Sequence, residues 1–131
     1  MAIEESLTTK KQILFVDDEE SLALLGADLL DEFGYTVTCA FNGEEALQLF
    51  QLESSCFDMV ITDESMPGIS GIELAQELCR ISPSTPVILC SGYMLTMQEE
   101  GMDKANIAAV LIKTAVCSEL PGMIEKIFLG E

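Results

Sequence analysis

Short apolar runs recur along this chain with no polar residue at alternate positions, and each stops abruptly. Residues 12–16 (QILFV) run into Asp17, Asp18, Glu19 and Glu20, and residues 59–62 (MVIT) run into Asp63 and Glu64. Residues 87–90 (VILC) end at Ser91 and Gly92, and residues 108–112 (AAVLI) end at Lys113. A strand with one wet face alternates apolar and polar side chains, so an unbroken run marks a strand covered on both faces. Residues 35–40 (YTVTCA), rich in β-branched types, read as one more strand.

Between the runs the period becomes helical. Leu22, Leu25, Leu29 and Phe33 recur at helical spacing, with Gly34 placed to stop the helix. Asn42, followed three residues later by Glu45, starts a helix that carries Ala46, Leu49 and Phe50 inward. Ser70 and Glu73 repeat that signature ahead of a buried stripe of Ile72, Ala75, Leu78 and Cys79. Pro83 and Pro86 bracket the turn before residues 87–90. A weaker helix is expected over 96–104, and a last one through Leu120, Met123, Ile124 and Ile127, where Pro121 is tolerable only in the first turn. Five strand–helix units with doubly covered strands predict an α/β domain of the doubly wound, flavodoxin-like type. Its five-stranded parallel sheet should run in the order 2-1-3-4-5 with helices on both faces. The domain is expected to occupy residues 12–129 behind a flexible N-terminal tail, residues 1–11.

Composition narrows the chemistry. With 131 residues, 49% of them hydrophobic, the chain is sized for one domain with a real core. No apolar run approaches the roughly 18 residues that span a bilayer, and MAIEESLTTKK lacks the apolar centre of a signal peptide, so a cytoplasmic domain without membrane insertion is expected. The 23 acidic residues against 6 basic ones leave a net charge of −17, which repels nucleic acid and argues against direct binding to it. Five cysteines, an odd number with no CxxC pair, suggest neither a disulfide framework nor a zinc site. Histidine is absent, which removes Ser-His-Asp and Cys-His nucleophile systems and any phosphohistidine on this chain. Carboxylates, hydroxyls and lysine remain.

In a doubly wound sheet, function gathers at the carboxyl ends of the strands near the switch in strand order. The order 2-1-3-4-5 makes strands 1, 3, 4 and 5 neighbours about 4.8 Å apart. Asp17, Asp18, Asp63, Ser91 and Lys113 then converge on one edge, while Asp58 falls at the opposite end and Glu64 belongs to the loop. Clustered carboxylates repel, and a divalent cation is the natural remedy; magnesium prefers oxygen ligands and takes one or two carboxylates. A carboxylate can attack phosphorus to give an acyl phosphate, with lysine and a hydroxyl contacting the phosphoryl oxygens. The same residues also have plainer readings: acids at a helix N-terminus answer its dipole, Ser91-Gly92 suits a turn, and Lys113 suits a surface.

The ordered set ILFVDDEE, DMVITDESMPGISG, PVILCSGY and VLIKT resembles the receiver domain of two-component response regulators, over about residues 12–129. ELCRISPSTPVILCSGY is further similar to receivers attached to hybrid sensor kinases. The resemblance implies that Asp63 is the phosphoacceptor, that Asp17 and Asp18 hold Mg2+ with Asp63 and the backbone carbonyl of Ser65, that Ser91 binds the phosphoryl group, and that Lys113 pairs with it. It implies a histidine kinase or histidine phosphotransfer protein as donor and a downstream effector protein or domain as reader. Such a domain catalyses its own phosphorylation and dephosphorylation rather than turning over a separate substrate. Ser65 and Tyr93 stand where the family tunes phosphoryl lifetime. Two positions depart from the pattern: Thr114 replaces the proline that usually follows the lysine, and Val110 stands where a switching aromatic is common. Lys113 is still expected to reach the site. A receiver-like docking module without phosphotransfer is the alternative; an aspartate phosphohydrolase is disfavoured by Ser65 two residues after Asp63, and a flavin protein by the acidic first loop.

Overall fold

The computed structural model describes residues 10–52, 57–92 and 105–130. The expected helix over 96–104, Tyr93, Cys56 and most of the N-terminal tail lie outside the described residues. Five strands form: β1 (Gln12–Val16), β2 (Thr36–Ala40), β3 (Met59–Asp63), β4 (Val87–Ser91) and β5 (Ile107–Ile112). They make one parallel sheet in the order β2-β1-β3-β4-β5, as expected. Four helices accompany them among the described residues: α1 (Glu20–Glu32), α2 (Gly43–Leu52), α3 (Gly71–Ile81) and α4 (Val116–Leu129).

The unbroken apolar runs are explained by two cores, one on each face of the sheet. Leu14, Val16, Val60 and Leu89 point to one side and pack with Ala46 and Phe50 of α2 and Leu74 and Leu78 of α3. Ile13, Phe15, Ile61 and Ile88 point to the other and pack with Ala23 and Leu30 of α1 and Leu120 and Ile124 of α4. Successive strand residues face opposite ways, so both sets must be apolar. The helix starts follow the capping logic: Ser70 Oγ accepts the Glu73 N–H at 3.2 Å while Glu73 accepts the Ser70 N–H at 2.9 Å. Asn42 likewise accepts the Glu45 N–H at 2.7 Å. Gly34 follows α1 with φ +93°, a conformation that a side chain would strain.

Two readings need correction. The buried face of α1 is Ala23, Gly26 and Leu30, whereas Leu22, Leu25 and Phe33 of the expected stripe are exposed. The reason is close approach: a Cβ on Gly26 would stand 2.5 Å from Cζ of Phe15, so the small residues of α1 sit on the sheet and the leucines are turned aside. Pro121 lies in the second turn of α4 rather than the first, because a short 3-10 turn at Lys113–Ala115 starts the helix early. The partner carbonyl left without an N–H belongs to Cys117, which is exposed, so water can satisfy it. Asp58 lies at the far end of the sheet, as expected, where its carboxylate accepts the Gln12 N–H at 2.8 Å and ties the start of β3 to β1.

Candidate functional site

Three strand ends and one loop build the acidic edge. β1 stops at Val16, and the Asp17 N–H still donates to the Ala40 carbonyl at 3.1 Å, so Asp17 is held as rigidly as the strand. Asp63 is the last residue of β3, opposite Cys90 of β4, and every residue of β3 is buried. The Glu64 N–H donates to the Cys90 carbonyl at 2.8 Å and prolongs that register by one residue. Ser91 ends β4, is buried, and stands opposite Ile112, the residue before Lys113.

The side chains converge as the strand order requires. One carboxylate oxygen from each of Asp17, Asp18 and Asp63 lies within 4.8 Å of the others; Glu64 is outside that group. Lys113 Nζ is 2.9 Å from Asp63 Oδ2 and 3.8 Å from Asp17 Oδ2. Among the described residues there is no cis peptide bond, and Lys113 reaches the carboxylates with Thr114 behind it. Asp63 Oδ1 accepts the Ser65 N–H at 3.3 Å, and Asp17 Oδ1 accepts the Glu19 N–H at 2.9 Å. Ser65 is exposed, and this N–H contact to Asp63 involves a different group from the backbone carbonyl expected to face Mg2+.

Electrostatically the edge is short of positive charge: three carboxylates and one ammonium leave two negative charges uncompensated. Burial raises the Asp63 carboxyl above its ordinary 3.8, outweighing the Lys113 bond and charge and the Ser65 N–H that pull it down. Asp17 is raised for the same first reason, against the Glu19 N–H and Lys113. Burial opposes charge on Lys113, yet its bond to Asp63 and the charges of Asp63, Asp17 and Glu19 raise it overall. Cys90 behind them is pushed up to about 12 by burial and then by Asp63 and Asp17. Such an all-oxygen, electron-rich set suits a small hard cation such as Mg2+ rather than a soft thiolate-seeking metal.

One part of the site escaped sequence reasoning. Leu22, Leu25 and Leu29 of α1 face Val116 and Cys117 of α4 across an apolar cleft whose walls include Asp17, Asp63 and Lys113. The leucine spacing was visible in the sequence, but as a core stripe.

The family model described as the response regulator receiver domain matches residues 13–125. The response regulator receiver protein CpdR of Brucella abortus is 30% identical over 120 residues, covering 92% of this chain and 98% of that protein. The alkaline phosphatase synthesis transcriptional regulatory protein PhoP of Bacillus subtilis is 37% identical over 94 residues, which cover 72% of this chain but only 36% of PhoP. Among solved structures, the response regulator TrrA of Thermotoga maritima in complex with Mg(2+)-BeF superposes with a TM-score of 0.79 at 36% identity, covering 89% of this chain and 98% of that one. A CheY-like receiver from Methanospirillum hungatei has a TM-score of 0.81 at 24% identity over 91% and 94% of the two chains, a likeness of fold.

Proposed function

This chain belongs to the response regulator receiver domain family of two-component signalling, and on that premise we propose that Asp63 is its phosphoacceptor. The observation that carries the reading is the buried Asp63 carboxylate, held at a strand end with Lys113 Nζ at 2.9 Å and the Asp17 and Asp18 oxygens within 4.8 Å. The domain is taken as residues 12–129.

In the proposed reaction the Asp63 carboxylate attacks the phosphorus of a phosphohistidine carried by a histidine kinase or phosphotransfer protein. The new P–O bond forms as the P–N bond breaks, and the leaving imidazole keeps the nitrogen electron pair. Asp17, Asp18, Asp63 and the Ser65 carbonyl would hold Mg2+, and the complex of TrrA with Mg(2+)-BeF supports such an ion here. When bound, that ion supplies positive charge that screens carboxylate and phosphoryl oxygens from each other. Lys113 would trade part of its contact with Asp63 for a phosphoryl oxygen, and Ser91 would donate its hydroxyl to another. In hydrolysis a water oxygen would attack the phosphorus, its bond to the Asp63 oxygen would break, and inorganic phosphate would leave with the carboxylate restored, so the chain modifies itself rather than a separate substrate.

The donor has to bring its imidazole to a buried carboxylate. The apolar wall of Leu22, Leu25 and Leu29 beside Asp63 gives it a surface to seat on. The test is intact-mass measurement after incubation with Mg2+ and acetyl phosphate. One phosphoryl group gained by the wild type and lost in Asp63→Asn supports the reading. No gain in the wild type, with the fold intact, would transfer the chain to the docking-module alternative.

A further inference from the structure

Gly71 is the first residue of α3, directly after its Ser70 cap, and it is buried. Its backbone is ordinary: among the described glycines, only Gly34, Gly68 and Gly130 have positive φ. Alanine would suit that conformation and the helix better than glycine does. Space is what excludes it. A Cβ on Gly71 would stand 2.3 Å from the backbone carbonyl oxygen of Asp63, 2.8 Å from Cα of Glu64 and 2.8 Å from Cδ1 of Leu89.

The nature of those atoms matters. At Gly26 and Gly43 the nearest atoms belong to side chains, the Phe15 ring and Ile69, rather than to backbone. At Gly71 the closest two are backbone, and the third belongs to a fully buried leucine. The backbone they belong to is itself pinned. Asp63 is in register with Cys90, and the Glu64 N–H bonds the Cys90 carbonyl at 2.8 Å. The Glu64 carbonyl in turn accepts the Gly71 N–H at 2.8 Å, which closes the loop from 64 to 71. A methyl group at position 71 must either break that closure or push the Asp63 peptide out of register.

We infer that Gly71 is a positioning residue for Asp63: its missing side chain lets the start of α3 lie against the Asp63 peptide and hold the carboxylate in its reacting position. The inference rests on the phosphoacceptor reading of Asp63. Relieving the overlap takes a displacement of about 1 Å, and misplacement of that size lowers a positioned reaction by roughly 100-fold.

The experiment compares Gly71→Ala with Leu78→Val, a core change in the third turn of the same helix. Thermal unfolding, phosphoryl incorporation from acetyl phosphate with Mg2+, and native-state amide exchange are measured on each full chain. Gly71→Ala should lose roughly 10- to 100-fold in maximal rate, with the half-saturating acetyl phosphate concentration unchanged. The amides at 64 and 71 should exchange faster while those of β1 and β2 hold. Leu78→Val should lower Tm and spare both the rate and the two amides. Wild-type rate and protection in Gly71→Ala, or the same losses in Leu78→Val, overturn the inference. If Gly71→Ala does not fold, Gly71→Ala/Leu89→Ala, which makes room on the Leu89 side, is compared with Leu89→Ala; equal rates and equal exchange at the two amides overturn it. If the wild type takes no phosphoryl group, the phosphoacceptor reading fails, and exchange at the two amides still decides whether Gly71 holds the Asp63 peptide.

Discussion

Replacing Lys113 by methionine keeps most of the length of the side chain and removes the ammonium from between Asp63 and Asp17. At the observed 2.9 and 3.8 Å, Coulomb's law with an effective dielectric of 20 gives about 6 and 4 kcal/mol of gross attraction. Most of that is offset by desolvation, since the Lys113 side chain is only 28% exposed and those of Asp63 and Asp17 are 3% and 7% exposed. Removing one partner of such a buried pair leaves a net loss of about 3 kcal/mol, or roughly 10 °C in Tm for a domain of this size. The loss must depend on pH in a definite direction. Asp63 and Asp17 already have folded-state pKa values above 3.8, so their ionised forms destabilise the fold; stability falls as pH rises from 3.8 through the folded pKa, then levels. Without Lys113 the carboxyls are raised further and that fall is larger. The variant should therefore be weaker than wild type at about pH 7, and the gap should narrow as the medium is acidified, since protonation of the two carboxyls removes the charge that Lys113 offsets. Urea unfolding with EDTA present, at about pH 7 and at about pH 4, measures this. Coincident curves at neutral pH, or a gap that widens on acidification, would refute the ion-pair account.

The same charge imbalance predicts that Mg2+ stabilises the protein: an ion present at 100 times its Kd adds about 2.7 kcal/mol, read as a higher Tm, and Asp18→Asn should remove most of the gain while leaving the metal-free Tm within a degree or two. Cys90, with its thiol pushed up to about 12, should resist alkylation in the folded protein while exposed Cys117 reacts, and peptide mapping after brief iodoacetamide treatment at about pH 8 separates them. Leu25 is 55% exposed, so Leu25→Glu should change stability by no more than about 0.5 kcal/mol. It should slow phosphoryl transfer from a phosphohistidine protein at least tenfold and leave labelling by acetyl phosphate unchanged; equal slowing of both donors would remove the seating role of α1.

The topology and the acidic edge were legible because both are consequences of where apolar runs stop. An apolar run that must be buried on two faces fixes a parallel sheet, and the polar residue that ends each run lands on the same rim in every strand. Asp17, Asp18, Asp63 and Lys113 came together on that logic alone, and Ser91 ends the strand next to that of Asp63, with strand limits differing from expectation by at most one residue. The reach of Lys113 was less legible, since Thr114 follows it; the 3-10 turn at Lys113–Ala115, rather than any local signal, carries its ammonium to Asp63. Gly71 left no mark that a sequence reader would separate from the neighbouring glycines, because its need is for space beside Asp63 and not for an unusual φ.

Helical periodicity shows that α1 is amphipathic, but not which part of its apolar arc meets the sheet. At 3.6 residues per turn, the arc from Leu25 through Leu29, Leu22, Phe33, Gly26 and Leu30 to Ala23 spans roughly 160°. A sheet covers less than that. Hydropathy ranks the leucines first, yet the face chosen is the one holding Gly26 and Ala23, since only small residues let the helix axis descend onto Phe15. Once the small face is down, Leu22, Leu25 and Leu29 must border the cleft beside Asp63. Size, not hydrophobicity, thus selects the buried face, and the displaced leucines become the apolar approach to the acidic edge. On this view Gly26→Ala should disturb more than core packing: by lifting α1 from Phe15 it should also move the wall on which a phosphodonor protein is proposed to seat.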